Sequence, residues 1–162
     1  MTATASFERG DLPGALLAVV LVNLVGAAPA ALGGPDSAWF QGLTKPAIYP
    51  PSWAFGVVWT LLFTLMGVAL YLVWRAEASR ERRVALGLFV AQMAFNVAWT
   101  PVFFQAQNLA LALAVIGALL ALLVPTIAAF RRVDRRAGYL LVPYLLWVTF
   151  AAVLNYRFLA LN

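Results

Sequence analysis

The chain holds neither histidine nor cysteine, and all six of its acidic residues lie outside the long apolar runs. Imidazole bases, thiol nucleophiles and most transition-metal ligands are thereby absent, and no carboxylate sits at depth for general acid–base work. No catalytic residue and no metal site are assigned on these grounds. The groups left that could do chemistry are two amides and a set of aromatic rings. Gln92 and Asn96 are one turn apart and, at about 100° per residue, share a helix face with Trp99 and Phe103. Trp59, Phe63 and Met66 form a second stripe, with Thr60 and Thr64 beside it. Pro143, Trp147, Phe150 and Leu154 form a third, with the small Ala151 adjacent. Taken singly, each stripe reads as packing. An amide in hydrocarbon needs a partner, so Gln92 and Asn96 either bond neighbouring helices or project into a cavity. If the three faces converge, they line an apolar pocket with few polar groups, the usual make-up of a small-molecule site. Its ligand would be large, apolar and able to stack, with any carboxylates left at the rim near Lys45. A planar macrocycle or a sterol fits that description.

The elements that must carry these faces are membrane spans. At 64% hydrophobic and 10% charged residues, 162 residues supply too little polar surface for a soluble globule. The expected fold is all-α, a single domain over residues 1–162 with five transmembrane helices at about 12–34, 50–75, 82–104, 108–131 and 136–158. A cleaved signal peptide is the rival for the first, because Ala28-Pro29-Ala30 resembles a cleavage site. Val84 to Phe130 is too long for one span and divides at Gln105-Ala106-Gln107-Asn108. No internal repeat is visible, which argues against an inverted-repeat transporter, and no span carries the ionisable groups of a proton relay or voltage sensor. The net charge of +5 arises from clusters between the runs, so topology explains it better than nucleic acid. Nine arginines lie on the side of the N-terminus and the two Arg-rich turns, against Lys45 and Arg157 opposite. Positive-inside therefore puts the N-terminus in the cytoplasm.

Between the first two spans, residues 35–50 form a covering loop rather than a helix, since Pro46, Pro50 and Pro51 push the chain towards extended geometry. Trp39, Tyr49 and Trp53 then sit at the mouth of the bundle, either as an interfacial aromatic belt or as a lid over the pocket. On the third span, Gly87, Ala91, Ala94 and Ala98 make a small-residue stripe away from Gln92 and Asn96. Small stripes permit close helix approach, so this one reads as a helix or subunit contact, the expected homodimer interface.

The residues also resemble a bacterial member of the translocator protein or tryptophan-rich sensory protein family (TspO/MBR, peripheral-type benzodiazepine receptor). The likeness rests on Trp39, Lys45-Pro46, Pro50-Pro51 with Trp53, Trp59 with Met66-Gly67, AQMAFNVAWTPVFF from Ala91 and VPYLLWVTFAAVLNY from Val142. It implies a five-helix bundle, often dimeric, that binds porphyrins, sterols and synthetic aromatic drugs in a pocket closed by the first loop. No cofactor is required on this view; a porphyrin or haem precursor is the ligand. Carried over by position, the pocket includes Trp59, Phe63, Gln92, Asn96, Trp99, Trp147, Phe150 and Ala151. Receptor, binding protein or carrier is the leading function. Light-dependent porphyrin degradation through Trp59 and Trp147, or a scaffold with a vestigial pocket, are the alternatives. Two departures stand out: Ile48 occupies the place of the family's loop tryptophan, and Tyr156-Arg157 lacks the spacer of the sterol-recognition pattern.

Overall fold

In a computed structural model describing residues 8–162, five helices are long and apolar enough to cross a membrane. The first seven residues of the expected domain lie outside the described residues. The helices are α1 (Leu12–Ala27), the short α2 (Ala38–Gly42), α3 (Ser52–Trp74), α4 (Arg80–Phe104), α5 (Leu109–Val133), α6 (Arg135–Leu140) and α7 (Val142–Leu161). Around the bundle, α1 packs on α3, α3 on α6, α6 and α7 on α5, and α5 on α4, which returns to α1.

Local chemistry sets the helix ends. Ser79 caps α4 by accepting from the Arg82 N–H, and Asn108 caps α5 by accepting from Leu111. The double proline opens α3, with the Ala54 N–H bonded to the Pro51 carbonyl. Between α4 and α5 the chain reverses through Gln107, whose φ of 53° lies in the left-handed region.

Two expected spans differ from the observed ones. The first loses α geometry at Ala27 and continues as a 3-10 turn, Ala28–Ala31, because Pro29 has no N–H to extend the ladder. The fifth is interrupted at Leu141. Asp134 caps α6 through the Arg136 N–H, and Pro143 starts α7 afresh in its first turn.

The two ends of the bundle are tied separately. At one, Asp11 ahead of α1 accepts from Tyr71 Oη at 2.7 Å and pairs with Arg75, joining the start of α1 to the Arg-rich turn. At the other, Gln105 Nε2 donates to the Leu32 carbonyl at 2.7 Å, holding the α4–α5 turn beside the covering loop. Glycine makes the α1–α3 contact possible. A Cβ on Gly67 would stand 2.5 Å from Val19 Cα, so the two backbones approach there too closely for a side chain to fit between them.

Candidate functional site

Every transmembrane helix contributes to one cavity of about 400 Å³ at the covering-loop end of the bundle. Its walls are Asn23 and Gly26 on α1, Phe55 to Phe63 of α3 on one face, Asn96 to Phe104 of α4, Ile116 and Leu119 on α5, and Trp147 to Phe158 of α7. The volume falls in the range of small-molecule sites, about 300–1,000 Å³. Ala27, Ala30, Gly56 and Thr60 belong to the wall and are also exposed, so the cavity opens sideways between α1 and α3.

Aromatic rings dominate the lining. Trp59 stacks on Phe63 with centroids 5.2 Å apart and meets Trp147 edge-on at 6.5 Å. Trp147 in turn touches Phe55 and Phe150. Towards the loop, the buried Phe40 gathers Tyr49, Phe103, Phe104 and Phe158 within 6.2 Å or less. Such ring pairs contribute about 0.5–1.5 kcal/mol each beyond area burial. Gly26 matters here, because a Cβ would lie 2.3 Å from the tip of the Phe63 ring.

The polar groups are mostly spoken for within the protein. Asn96 Nδ2 donates to Tyr144 Oη at 2.7 Å, and that hydroxyl donates to Gln92 Oε1 at 3.1 Å, joining α4 to α7. Trp99 Nε1 donates to Asn155 Oδ1 at 3.0 Å, while Asn155 Nδ2 reaches the Leu109 carbonyl on α5. Asn23 Nδ2 bonds the Val19 carbonyl and Thr64 Oγ1. The Thr60 and Thr64 hydroxyls donate to carbonyls four residues back on their own helix. Among the described residues, two buried side-chain donors have no protein partner, Gln92 Nε2 and Trp147 Nε1. Only Trp147 is in the cavity wall.

The expected site residues divide accordingly. Tyr49, Trp59, Phe63, Asn96, Trp99, Trp147 and Ala151 line the cavity. Gln92 does not; it is fully buried behind Asn96, because the helix face it shares with Asn96 runs deeper than the cavity floor. Phe150 packs against Trp147 from outside the wall, and Trp39 sits edge-on to Phe103. Trp53, 71% exposed on the first turn of α3, points away from the mouth and belongs to the bundle's outer surface. Lys45 is not a free cation at the rim. Its ammonium donates to the Phe40 and Leu43 carbonyls and lies 4.6 Å over the Phe40 ring. The small stripe faces outward: no atom lies within 4 Å of a Cβ on Gly87, Ala94 is exposed, and Ala91 and Ala98 are half-buried.

Three functional-looking residues escaped the sequence reading: Asn23, Tyr144 and Asn155. Each is a hydrogen-bonding side chain inside an apolar span, the same signal that singled out Gln92 and Asn96.

Outside the spans, two groups titrate away from their ordinary values. Burial pushes the Tyr49 phenol up. Burial also pushes the Asp134 carboxyl up, but the hydrogen bonds and charge of Arg136 outweigh it and hold Asp134 below the usual carboxylate range.

Comparison with known proteins accounts for this architecture. The TspO/MBR family profile matches residues 16–161. A tryptophan-rich sensory protein from Cereibacter sphaeroides is 43% identical over 138 residues, covering 83% of this chain and 85% of its own length. The translocator protein of Ovis aries is 39% identical over 126 residues, 76% of this chain and 75% of its own. The Homo sapiens translocator protein is 38% identical over 125 residues, with 76% and 74% covered. With its bundle of five apolar helices and this match along nearly its whole length, the chain is an integral multi-pass membrane protein of the TspO/MBR family.

Proposed function

We propose that the cavity binds porphyrin-type tetrapyrroles, and with lower selectivity other large apolar molecules such as sterols or benzodiazepine-like drugs, making the protein a membrane receptor or carrier for them. The observation that carries this reading is the pairing of a ring-lined wall with a fully buried, unspent donor, Trp147 Nε1. A planar aromatic ligand gains stacking area against Trp59, Phe63 and Trp147, and one acceptor on its edge would satisfy the indole. The lateral opening between α1 and α3 suits a ligand that partitions into lipid. The names of the relatives, translocator protein and tryptophan-rich sensory protein, agree with binding or movement of a ligand. On this reading the protein sits in the bacterial cell membrane with its N-terminus cytoplasmic, and pairs into a homodimer through Gly87, Ala91, Ala94 and Ala98.

The test is a tryptophan-fluorescence titration with protoporphyrin in the dark. Saturable quenching that is lost in Trp147→Ala supports the cavity; quenching unchanged by that substitution places the ligand elsewhere. One observation favours a second reading, light-dependent degradation of bound porphyrin: Trp59 and Trp147, both in the wall, stand 6.5 Å apart. Repeating the titration under illumination with product analysis separates binding alone from degradation.

A further inference from the structure

The covering loop packs on α4 through Trp39 and Phe40 and is fastened to the end of α7 as well. After α7, the Asn162 carboxamide accepts from the Thr44 N–H at 2.8 Å and donates to the Thr44 carbonyl at 3.2 Å. A side-chain amide thus mimics a strand neighbour for one residue of the loop. Asn162 Nδ2 also donates to the Phe158 carbonyl at 3.0 Å, which orients the carboxamide on the last turn of its own helix. One turn earlier, the Phe158 ring packs on Phe40 at 5.5 Å and Tyr49 at 5.8 Å. Phe40, Tyr49 and Phe158 all belong to the cavity wall, so the same contacts that fasten the loop close the site.

The loop is built to move as a unit. Ser37 caps α2 through the Phe40 N–H, and Lys45 spans back to the Phe40 and Leu43 carbonyls, so residues 37–45 are tied internally. Against this stiff body, the Thr44–Asn162 pair is exposed, where water competes for each bond. Exposed bonds of this kind open at small cost, as a gate over a ligand site requires.

We propose that Asn162 is a positioning residue that latches the covering loop, setting how fast the cavity exchanges its ligand while contributing little to affinity. The inference rests on the cavity being the ligand site. The latch acts with or without a ligand, so weakening it raises the open fraction of both states by one factor. Association and dissociation rate constants then rise together, and their ratio stays put.

Two variants attack the latch from opposite sides. Asn162→Ala removes the carboxamide; Thr44→Pro removes the loop's N–H and leaves α7 intact. Stopped-flow fluorescence with protoporphyrin should show both rate constants rising about three- to tenfold in each, with Kd changed less than twofold. The double variant should be no faster than Asn162→Ala alone, because that substitution already removes both bonds to Thr44. Leu159→Ala, on the last turns of α7 away from the loop, is the control. Hydrogen exchange of segment 38–49, measured without ligand, should accelerate by a similar factor in both latch variants. Unchanged exchange in that segment overturns the latch. So does a rise in the dissociation rate alone, which would make Asn162 part of the ligand's own contacts, and so does additivity in the double variant. If protoporphyrin fails to bind even the wild-type protein, the functional reading falls, and ligand-free hydrogen exchange still decides the latch.

Discussion

Replacing Tyr144 by phenylalanine deletes one oxygen and tests the polar hub of the bundle. The side chain is wholly buried, and its hydroxyl accepts from Asn96 Nδ2 and donates to Gln92 Oε1. Both partners lose a bond in Tyr144→Phe, and Gln92 Nε2 already lacks one among the described residues. The fully buried Gln92 amide would then have no side-chain hydrogen bond among the described residues. Interhelical bonds in membrane proteins average about 0.6 kcal/mol and reach about 1.7. Two of them predict a loss of about 1 to 3 kcal/mol. The assay is reversible unfolding in mixed micelles, with tryptophan fluorescence as the probe.

Two companions make the outcome specific. Thr149→Val removes a hydroxyl that only bonds the Leu145 carbonyl of its own helix on an exposed face, so it should change stability by less than about 0.5 kcal/mol. Gln92→Leu removes the orphaned Nε2 together with the acceptor, and should therefore cost less than Tyr144→Phe despite deleting more polar atoms. If Tyr144→Phe unfolds within about 0.3 kcal/mol of wild type, or Gln92→Leu costs more, the hub does not hold α4 to α7 and the assignment is wrong.

Trp147→Phe keeps a ring in the cavity wall and removes its unspent donor, so it should weaken protoporphyrin binding about tenfold, about 1.4 kcal/mol, and Trp147→Ala should weaken it further; equal titrations for wild type and Trp147→Phe would show that the indole N–H meets no ligand. Asp134→Ala should lose about 1 kcal/mol of thermal stability near neutral pH through the lost α6 cap. Because the folded Asp134 titrates below its ordinary value, that contribution is present above the unfolded carboxylate range near pH 4 and disappears as pH falls through the folded value, so the two melting curves should converge in acid. Leucine at Gly87 or Ala91 should abolish crosslinking of a homodimer while the monomer stays folded; persistence of the crosslink in both moves the interface elsewhere. Cysteines at Ala78 and Ala47, both exposed and neither a helix cap, should label from opposite membrane faces, and labelling from one face would break the five-span topology.

Span number and the convergence of three helix faces were legible in the amino-acid order because both follow from periodicity and apolar length. Trp59, Asn96, Trp99 and Trp147 do meet around one cavity. Depth along a helix is a different matter. A helical wheel places Gln92 and Asn96 on one face, but which of them reaches open space depends on depth along the helix, and Gln92 is bonded to the buried Tyr144 outside the cavity wall. Trp53 illustrates the same limit at a helix end: six positions before Trp59, it is exposed outside the wall, although Ser52 and Phe55 on the same turn line the cavity. Lys45 lies in the loop, but its ammonium is drawn to two carbonyls and a ring that the folded α2 brings within reach. The break at Leu141 was hidden because Asp134 begins a new helix one residue before the expected span, and Pro143 looks like a kink until Leu141 is seen to end α6.

The hydrogen-bond pattern decides what kind of selectivity the proposed site can have. A pocket with several unpaired donors and acceptors rejects any ligand that fails to match them, since each mismatch strands a buried polar group. Here the Asn96, Trp99 and Asn155 side chains are already bonded across helices, and the Thr60 and Thr64 hydroxyls are bonded to their own helix. Those bonds are part of the scaffold, so an incoming ligand neither needs nor gains them. What it gains is ring area and a buried directional contact at Trp147. Lys45 is likewise committed to the loop, so a ligand carboxylate finds no preformed partner there and is better left in the lateral opening between α1 and α3. On the proposed reading, affinity should therefore follow planar apolar area across porphyrins of different side-chain charge, and a series that instead ranks by carboxylate number would mean that Lys45 leaves Phe40 and turns to the ligand.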